Sequence, residues 1–432
     1  MPKLSVFQTI LLAVFGSLAV VGVLIFALVV SNSAGRAVGP VTVWGTLEGS
    51  VFQTVLQQVR ENDSRLSEVT YVQKDEERFA AELSEALASG TGPDLFILRQ
   101  DYVVRDAGKV YPILYESVSL TQFRNTFIEA AEPYLGENGV LALPLLADPL
   151  VLYWNRDLLA AAGYANPPSY WDEFQGMAQR ITKRDDSGRI LKSAVSFGEY
   201  RNVSHAKDII AMLILQAGGS ITAKDSSGRL VPALVSGAGG SSSQAVESAL
   251  RFYTEFADPS KAIYSWSRAM AESRSAFAAG DVALYIGFAS ERGTIARMNP
   301  NLNYAVAPMP QTRSSARPLT AARVYAIATA RTANNFSGAI VVAPLLASAD
   351  VSRALSLGYG MPSARRDVLG QSASNDDLFV RQAILSRTWI DPDPAGTDGI
   401  FRAMIENVTT GTLRLQEAIQ RAHAELEHIV NI

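Results

Sequence analysis

Few residues in this chain have the types and spacing needed for bond-breaking chemistry. None of the 432 residues is a cysteine, which excludes thiol nucleophiles, thiolate metal sites, disulfides and Cys lipidation. Three histidines occur: His205, His423 and His428. The last two are five apart on a helical stripe, do not share a face at metal spacing, and read as solvated helix residues. There is no G-x-S-x-G elbow, no G-x-x-x-x-G-K-[ST] phosphate loop and no H-E-x-x-H helix. The alternating aspartates of DPDPAGTD (391–398) place Ala395 at the third ligand position of a calcium loop, so the stretch reads as a proline-rich solvated turn. Carboxylate pairs for glycoside hydrolysis meet only in space, and nothing in the order of residues points to one. What remains is non-covalent capture.

One stretch suggests where capture would happen. In AFAAGDVALYIGFASE (276–291) a helix ends at Gly280, which suits a left-handed C-terminal position, and VALYI (282–286) is apolar at every position. Such a strand is buried on both faces, as in a parallel sheet. Open α/β sheets bind ligands beyond the C-terminal ends of their strands, and Gly287 stands at that end with no Cβ to keep a ligand from its N–H. Phe288 and Ser290 lie in the same turn. A tight reversal explains the glycine equally well, so both readings stand.

These residues need elements to hold them. The chain is 48% hydrophobic and 19% charged, long enough for two lobes with separate cores, and its net charge of −4 offers no basic field for nucleic acid. From Val41 strand-like and helix-like segments alternate. VTVW (41–44), EVTYVQ (68–73) and PDLFIL (93–98) read as strands, separated by a helical stripe of Val51, Phe52, Val55, Leu56 and Val59 and another of Phe79, Leu83 and Leu87. This β-α-β-α-β order predicts a parallel sheet with helices on its faces. RDDSGRI (184–190) and KDSSGRL (224–230) read as tight reversals around a buried helix, AMLILQAGG (211–219). SGAGGSSSQ (236–244) reads as a loop in which Ser241 and Gln244 open a helix. Leu415, Ile419, Ala422, Leu426 and Ile429 predict a closing amphipathic helix.

The N-terminus carries a different signal. No charge interrupts Phe7 to Val30, which as a helix would span roughly 36 Å, enough to cross a hydrocarbon core. Secretory signals have shorter apolar regions, although Ser31, Ser33 and Ala34 are small enough for a peptidase. The expectation is an uncleaved anchor at 1–30 and a tether at 31–40. Lys3 and the free amine favour a cytoplasmic start, giving a single-pass cell-membrane protein with its body on the extracytoplasmic side.

Several phrases, taken in order, resemble extracellular solute-binding proteins of the maltose-binding type. They are VTVWGTLEG, GTGPDLFILRQD, LALPLLADPLVLYWNRDLLAAAGY, PPSYWDEF, AFAAGDVALYIGFASE, NYAVAPMP and GYGMPSARRDVL, and together they cover about Val41 to Ile432. The resemblance implies a two-lobed α/β fold of the periplasmic-binding type, hinged by two or three chain crossings, with a ligand stabilising the closed form. The expected division is 41–147 with 303–345 in the first lobe and 148–302 with 346–432 in the second. It also implies a monomer that passes its ligand to the permease of an ABC transporter, with no enzymatic activity, cofactor or metal.

The resemblance aligns further residues with ligand loops. Asp148 matches a position that often contacts ligand, and a carboxylate there suits hydroxyl donors; a turn before Pro149 is the other reading. Asp101 lies in a similar loop or simply starts a helix. Glu48 lies in the first ligand loop, and Glu199, Tyr200 and Asn202 match another. Sugars bury ring faces, which nominates Trp44, Trp266 and Trp389 as platforms, against the alternative that each is core. Arg323 and Tyr325 open a strand after the second crossover, and Arg323 could clamp a carboxylate or phosphate. The expected ligand is a small polar molecule, a sugar or oligosaccharide. The alternatives are a tethered sensor or binding module without a transport role, and a surface glycan hydrolase.

Overall fold

The computed structural model describes residues 38–235, 241–313, 317–371 and 377–431. The expected anchor at 1–30, most of the tether, and the glycine-rich start of the 236–244 loop lie outside the described residues. Among the described residues no single helix is long and apolar enough to cross a membrane.

The first three strands form as their patterns predict. Val41–Gly45 pairs in parallel with Val69–Gln73 on one side and Leu95–Arg99 on the other. The helix Gly49–Arg60 turns Phe52, Val55, Leu56 and Val59 inward, and Phe79–Ser89 ends on Gly90 at φ 72°. Next to Leu95–Arg99 the direction reverses, because the neighbouring strand is Thr320–Thr329, running antiparallel.

That strand and Leu143–Asn155 join the halves. Leu143–Asn155 pairs with Thr320–Thr329 through Pro149 and then with Val282–Phe288 from Leu150 onward. One sheet therefore runs through both halves, while the side chains pack as two cores. One contains Val43, Phe96, Leu145 and Val324; the other contains Leu152, Ile210, Trp266 and Tyr285. Between them Asp148 stands opposite Arg323 in the ribbon, a two-stranded crossing at which the sheet can flex. A third crossing follows Ala383, which belongs to the first core, and reaches Trp389, which packs on the second.

The cores correct the expected division of the chain. Leu346, Leu355, Met361, Ala364, Leu369 and Ala383, assigned to the second lobe from sequence, pack into the first core, and Ala307 and Met309, assigned to the first lobe, pack into the second. The helices Phe336–Leu346 and Ala349–Tyr359 follow directly on Thr320–Thr329, and short connections keep consecutive elements on the same sheet half. Val282–Phe288 is buried throughout, as its apolar run requires. It lies parallel to Ile190–Val195 but antiparallel to Leu143–Asn155, so the expected parallel sheet holds on one side only.

Candidate functional site

The two cores meet at an edge rich in charge. On the first lobe, Leu95–Arg99 ends at Arg99, whose guanidinium reaches Asp101 with two parallel bonds of 2.7 and 2.8 Å and Glu76 at 2.6 Å. Tyr325 is its register partner, and Tyr102 presents its ring to Arg99 and Arg105. On the second lobe, the helix Ala206–Gln216 begins with Lys207 and Asp208. The Lys207 ammonium donates to Asp391 and Thr397, each at 2.6 Å, and to the Pro394 carbonyl at 3.1 Å. Trp389 lies beneath it, 5.6 Å from ammonium to ring centre. Arg323 bridges the lobes: Nη2 donates to Asp208 at 3.1 Å and the guanidinium lies 4.2 Å above the Phe288 ring. Its Nε is buried without a hydrogen-bond partner, an uncommon state for a charged donor.

Electrostatics link these groups across the lobes. Burial alone would raise the Asp101 carboxyl, but Arg99 outweighs it, with Arg323 and Lys207 adding to the effect, and holds it below the usual carboxylate range. Burial pushes Asp391 up to about 6 against the pull of Lys207. Burial likewise raises the Tyr325 phenol to about 12. The second lobe adds a buried network. Burial would raise Glu291, yet His205 outweighs it and keeps it below its usual range, while Tyr285 donates to the same carboxylate at 2.6 Å. His205 sits at φ 60°, the one non-glycine residue in the left-handed region among those described, with its ring edge on Phe288. Backbone strain of this kind gathers at binding sites and switches.

The structure distributes the expected contacts unevenly. Asp101, Arg323, Tyr325, Phe288 and Trp389 line the charged edge. Trp44, one residue before its strand ends at Gly45, is half-buried, with the Lys74 ammonium 3.7 Å from its ring centre. Glu48 is exposed; its carboxylate accepts from Ser50 and its carbonyl from Tyr359. Trp266 is fully buried in the second core and donates Nε1–H to Asn202, so it is not a platform. Asn202 in turn holds the carbonyls of Ser267 and Met270. The Tyr200 hydroxyl bonds to Asp398, and Glu199 is buried beside Arg268.

Gly287 requires the clearest correction. A Cβ there would lie 2.6 Å from Cε1 of Tyr285 and 2.9 Å from Oε2 of Glu291. The lobe's own side chains fill the space, so packing accounts for the glycine and the expected ligand contact at its N–H is withdrawn. Asp148 accepts from Ser290 N–H at 2.9 Å and from Ser290 Oγ–H at 2.6 Å. Burial raises its carboxyl to about 6 against these bonds. It fastens the turn after Val282–Phe288 to the interlobe ribbon. Asp391 is also corrected: it is 2% exposed and paired with Lys207, not part of a solvated turn.

Sequence reasoning missed Arg99, His205, Lys207, Asp208 and Asp391. The one available signal was polar HAKD (205–208) immediately before an unbroken apolar helix, a charged start on a buried element.

Comparison with known proteins places this arrangement. The family described as bacterial extracellular solute-binding protein matches residues 60–379. Proteins of Brucella abortus and Brucella suis whose names record only binding are 24% identical over 161 residues, 37% of this chain. The chain spans 39% of the length of these curated relatives. Among solved structures, an ABC transporter solute-binding protein from Thermotoga lettingae bound to α-D-tagatose is 22% identical, with TM-score 0.70, over 91% of this chain and 100% of its own. The cyclic α-maltosyl-1,6-maltose binding protein of Arthrobacter globiformis is 18% identical, with TM-score 0.74, over 91% and 99%. The maltose/maltodextrin-binding domain of Bdellovibrio bacteriovorus bound to maltotriose is 16% identical, with TM-score 0.69, over 91% and 100%. These likenesses carry the fold, and the family match carries membership: this chain belongs to the bacterial extracellular solute-binding proteins.

Proposed function

We propose that the chain captures a sugar or oligosaccharide between its lobes, outside the cytoplasm, and delivers it to the permease of an ABC transporter. The observation that carries this reading is the interlobe edge. Two separately packed cores are joined by narrow crossings, and Arg99, Asp101 and Tyr325 on one face Lys207, Trp389 and Asp391 on the other. Hydroxyl-rich ligands need both donors and acceptors in such a cleft, together with ring faces. Asp101, Tyr325, Trp389, Trp44 and the unpaired Nε of Arg323 supply them. The cavity on the first-lobe side, lined by Arg99, Tyr102 and Tyr325, measures about 30 Å³, room for one water. A sugar enters as the lobes part at the Asp148–Arg323 ribbon, and closure over it is the signal a permease reads.

In this reading residues 7–30 remain as a membrane anchor and keep the monomeric body near its permease at high effective concentration. The neighbours' sugars support the carbohydrate assignment, and the binding role of family and neighbours supports a protein that performs no catalysis. The test is a thermal-shift screen of the protein against sugars, polyols and peptides, with product analysis on every hit. A cognate sugar at a hundred times its dissociation constant should add about 2.7 kcal/mol. Cleaved product would sink the binding reading, and a response confined to peptides would sink the carbohydrate.

A further inference from the structure

The far end of the first lobe is built differently. Thr329 pairs with Leu95, the first residue of its strand, so this end lies opposite the edge at Arg99. A groove of about 610 Å³ opens there, lined by Tyr111, Leu114, Phe123, Ile340, Pro344 and Arg365 among others. Its rim is largely apolar and wet: Leu114 is 49% exposed, Ile340 47% and Tyr111 43%, with Ser117 and Gln122 the exposed polar residues beside them.

The helix beside the groove departs from the usual pattern. Phe336–Leu346 reads FSGAIVVAPLL and contains no charged residue. Its inner stripe, Ala339, Val342, Ala343 and Leu346, packs in the core. Its outer stripe, Ile340, Val341 and Pro344, is exposed and apolar as well. A helix that is apolar all round belongs in a core or a membrane environment, and only half of this one is covered.

The chain's entry lies beside this helix. Asn335 caps it through Gly338 N–H, and Asn335 Nδ2 donates to the carbonyls of Val38 at 2.9 Å and Pro40 at 3.0 Å. Phe336 meets the groove residue Tyr111 edge-on at 4.7 Å. Residues 31–37, even fully extended, reach at most about 25 Å. The charge-free run 7–30 is therefore tied close to a helix whose outer face lacks charge.

We infer that the outer face of Phe336–Leu346 and the adjoining groove rest on the lipid bilayer that residues 7–30 enter, with the groove admitting an acyl chain. The inference rests on the anchor reading above. The groove's volume suits one small apolar ligand, whereas residues 7–30 as a helix would be roughly 36 Å long, too long to be housed in it. Seated this way, the body holds its ligand-binding edge away from the lipid, and loading occurs clear of the surface.

The absence of native cysteine makes a direct test practical. Full-length Ile340→Cys and, on the other lobe, Ser187→Cys are labelled with bimane and reconstituted in phosphatidylethanolamine–phosphatidylglycerol vesicles. The acyl chains are either unmodified or brominated near the headgroup. Bromolipid should quench the label on Ile340→Cys about twofold, as expected for a group at the acyl boundary, and leave Ser187→Cys unchanged. Equal, unquenched emission from both would overturn the inference. Protein that fails to float with the vesicles would sink the anchor reading and this inference with it. Floating protein without quenching would sink this inference alone.

Discussion

The two ends of the first lobe share a sheet and oppose each other in chemistry. At the Arg99 end Arg99 pairs with Glu76 and Asp101 within the lobe, and Arg323 pairs with Asp208 across from it. At the Thr329 end Tyr111, Leu114 and Ile340 are exposed beside Ser117 and Gln122, and the neighbouring helix has no charge to offer water. The first arrangement can exchange internal hydrogen bonds for those of a small polar guest at modest cost, and Arg323 Nε, unpaired without a guest, stands to gain a partner. The second gains only when something apolar covers it. One sheet thus carries a charged edge and an apolar face.

Substitutions can break this contrast. The largest effect is expected at the polar end, where Lys207→Met leaves Asp391 buried without its cation. A loss of about 3 kcal/mol is expected in urea unfolding at neutral pH, because the remaining carboxylate is uncompensated. The loss should shrink at acid pH. The folded carboxyl already titrates near 6, above its unfolded value of 3.8, so its contribution is favourable at low pH and lost as pH rises through the folded value. A pH-independent loss would show that Lys207 acts by packing alone.

Next in size is Gly287→Ala. Its methyl would collide with Tyr285 and Glu291, and overpacking of this kind costs about 1–3 kcal/mol. Thermal unfolding checks it. Unchanged stability together with weakened ligand binding would restore the glycine to the site and blur the line drawn here between packing and recognition.

Asp148→Asn sharpens the role of the ribbon. Wild-type stability should fall between about pH 4 and pH 6 as buried Asp148 ionises, since its folded value near 6 lies above 3.8. The amide variant should show a shallower fall, measured as the urea midpoint across that range. An identical slope would show that Asp148 is ionised throughout.

The smallest effect belongs to the apolar end. Ile340→Ser removes an exposed methyl-rich side chain and should change stability in solution by no more than about 0.5 kcal/mol. A large loss in urea unfolding would mean that the face is part of the core and needs no lipid.

Much of the fold was legible in the chain. The stripe Phe52, Val55, Leu56, Val59 and the run VALYI announced their elements because burial imposes a period that a linear pattern displays. The hinge ribbon was legible only as a phrase, LLADPLVLYWN. The chain does not state that its two halves pair with different strands. The candidate site was less legible still. Trp266 and Trp389 looked alike as platforms, yet one is sealed in the core and the other lies beneath Lys207. Asp391 looked like a solvated turn residue because its partner Lys207 is remote in sequence.

By itself the sequence determined what kinds of interaction were available. The lack of cysteine removed thiol chemistry, the periodicities demanded a layered α/β body, and the uncharged run 7–30 set up the expectation of an anchor. Only the tertiary structure decided which residues meet. Arg323 with Asp208 and Asp148 with Ser290 meet across separations of 115 and 142 residues. The physical reason is that burial and periodicity are properties of one segment, whereas pairing of charge and of hydrogen bonds joins distant segments brought together by the sheet.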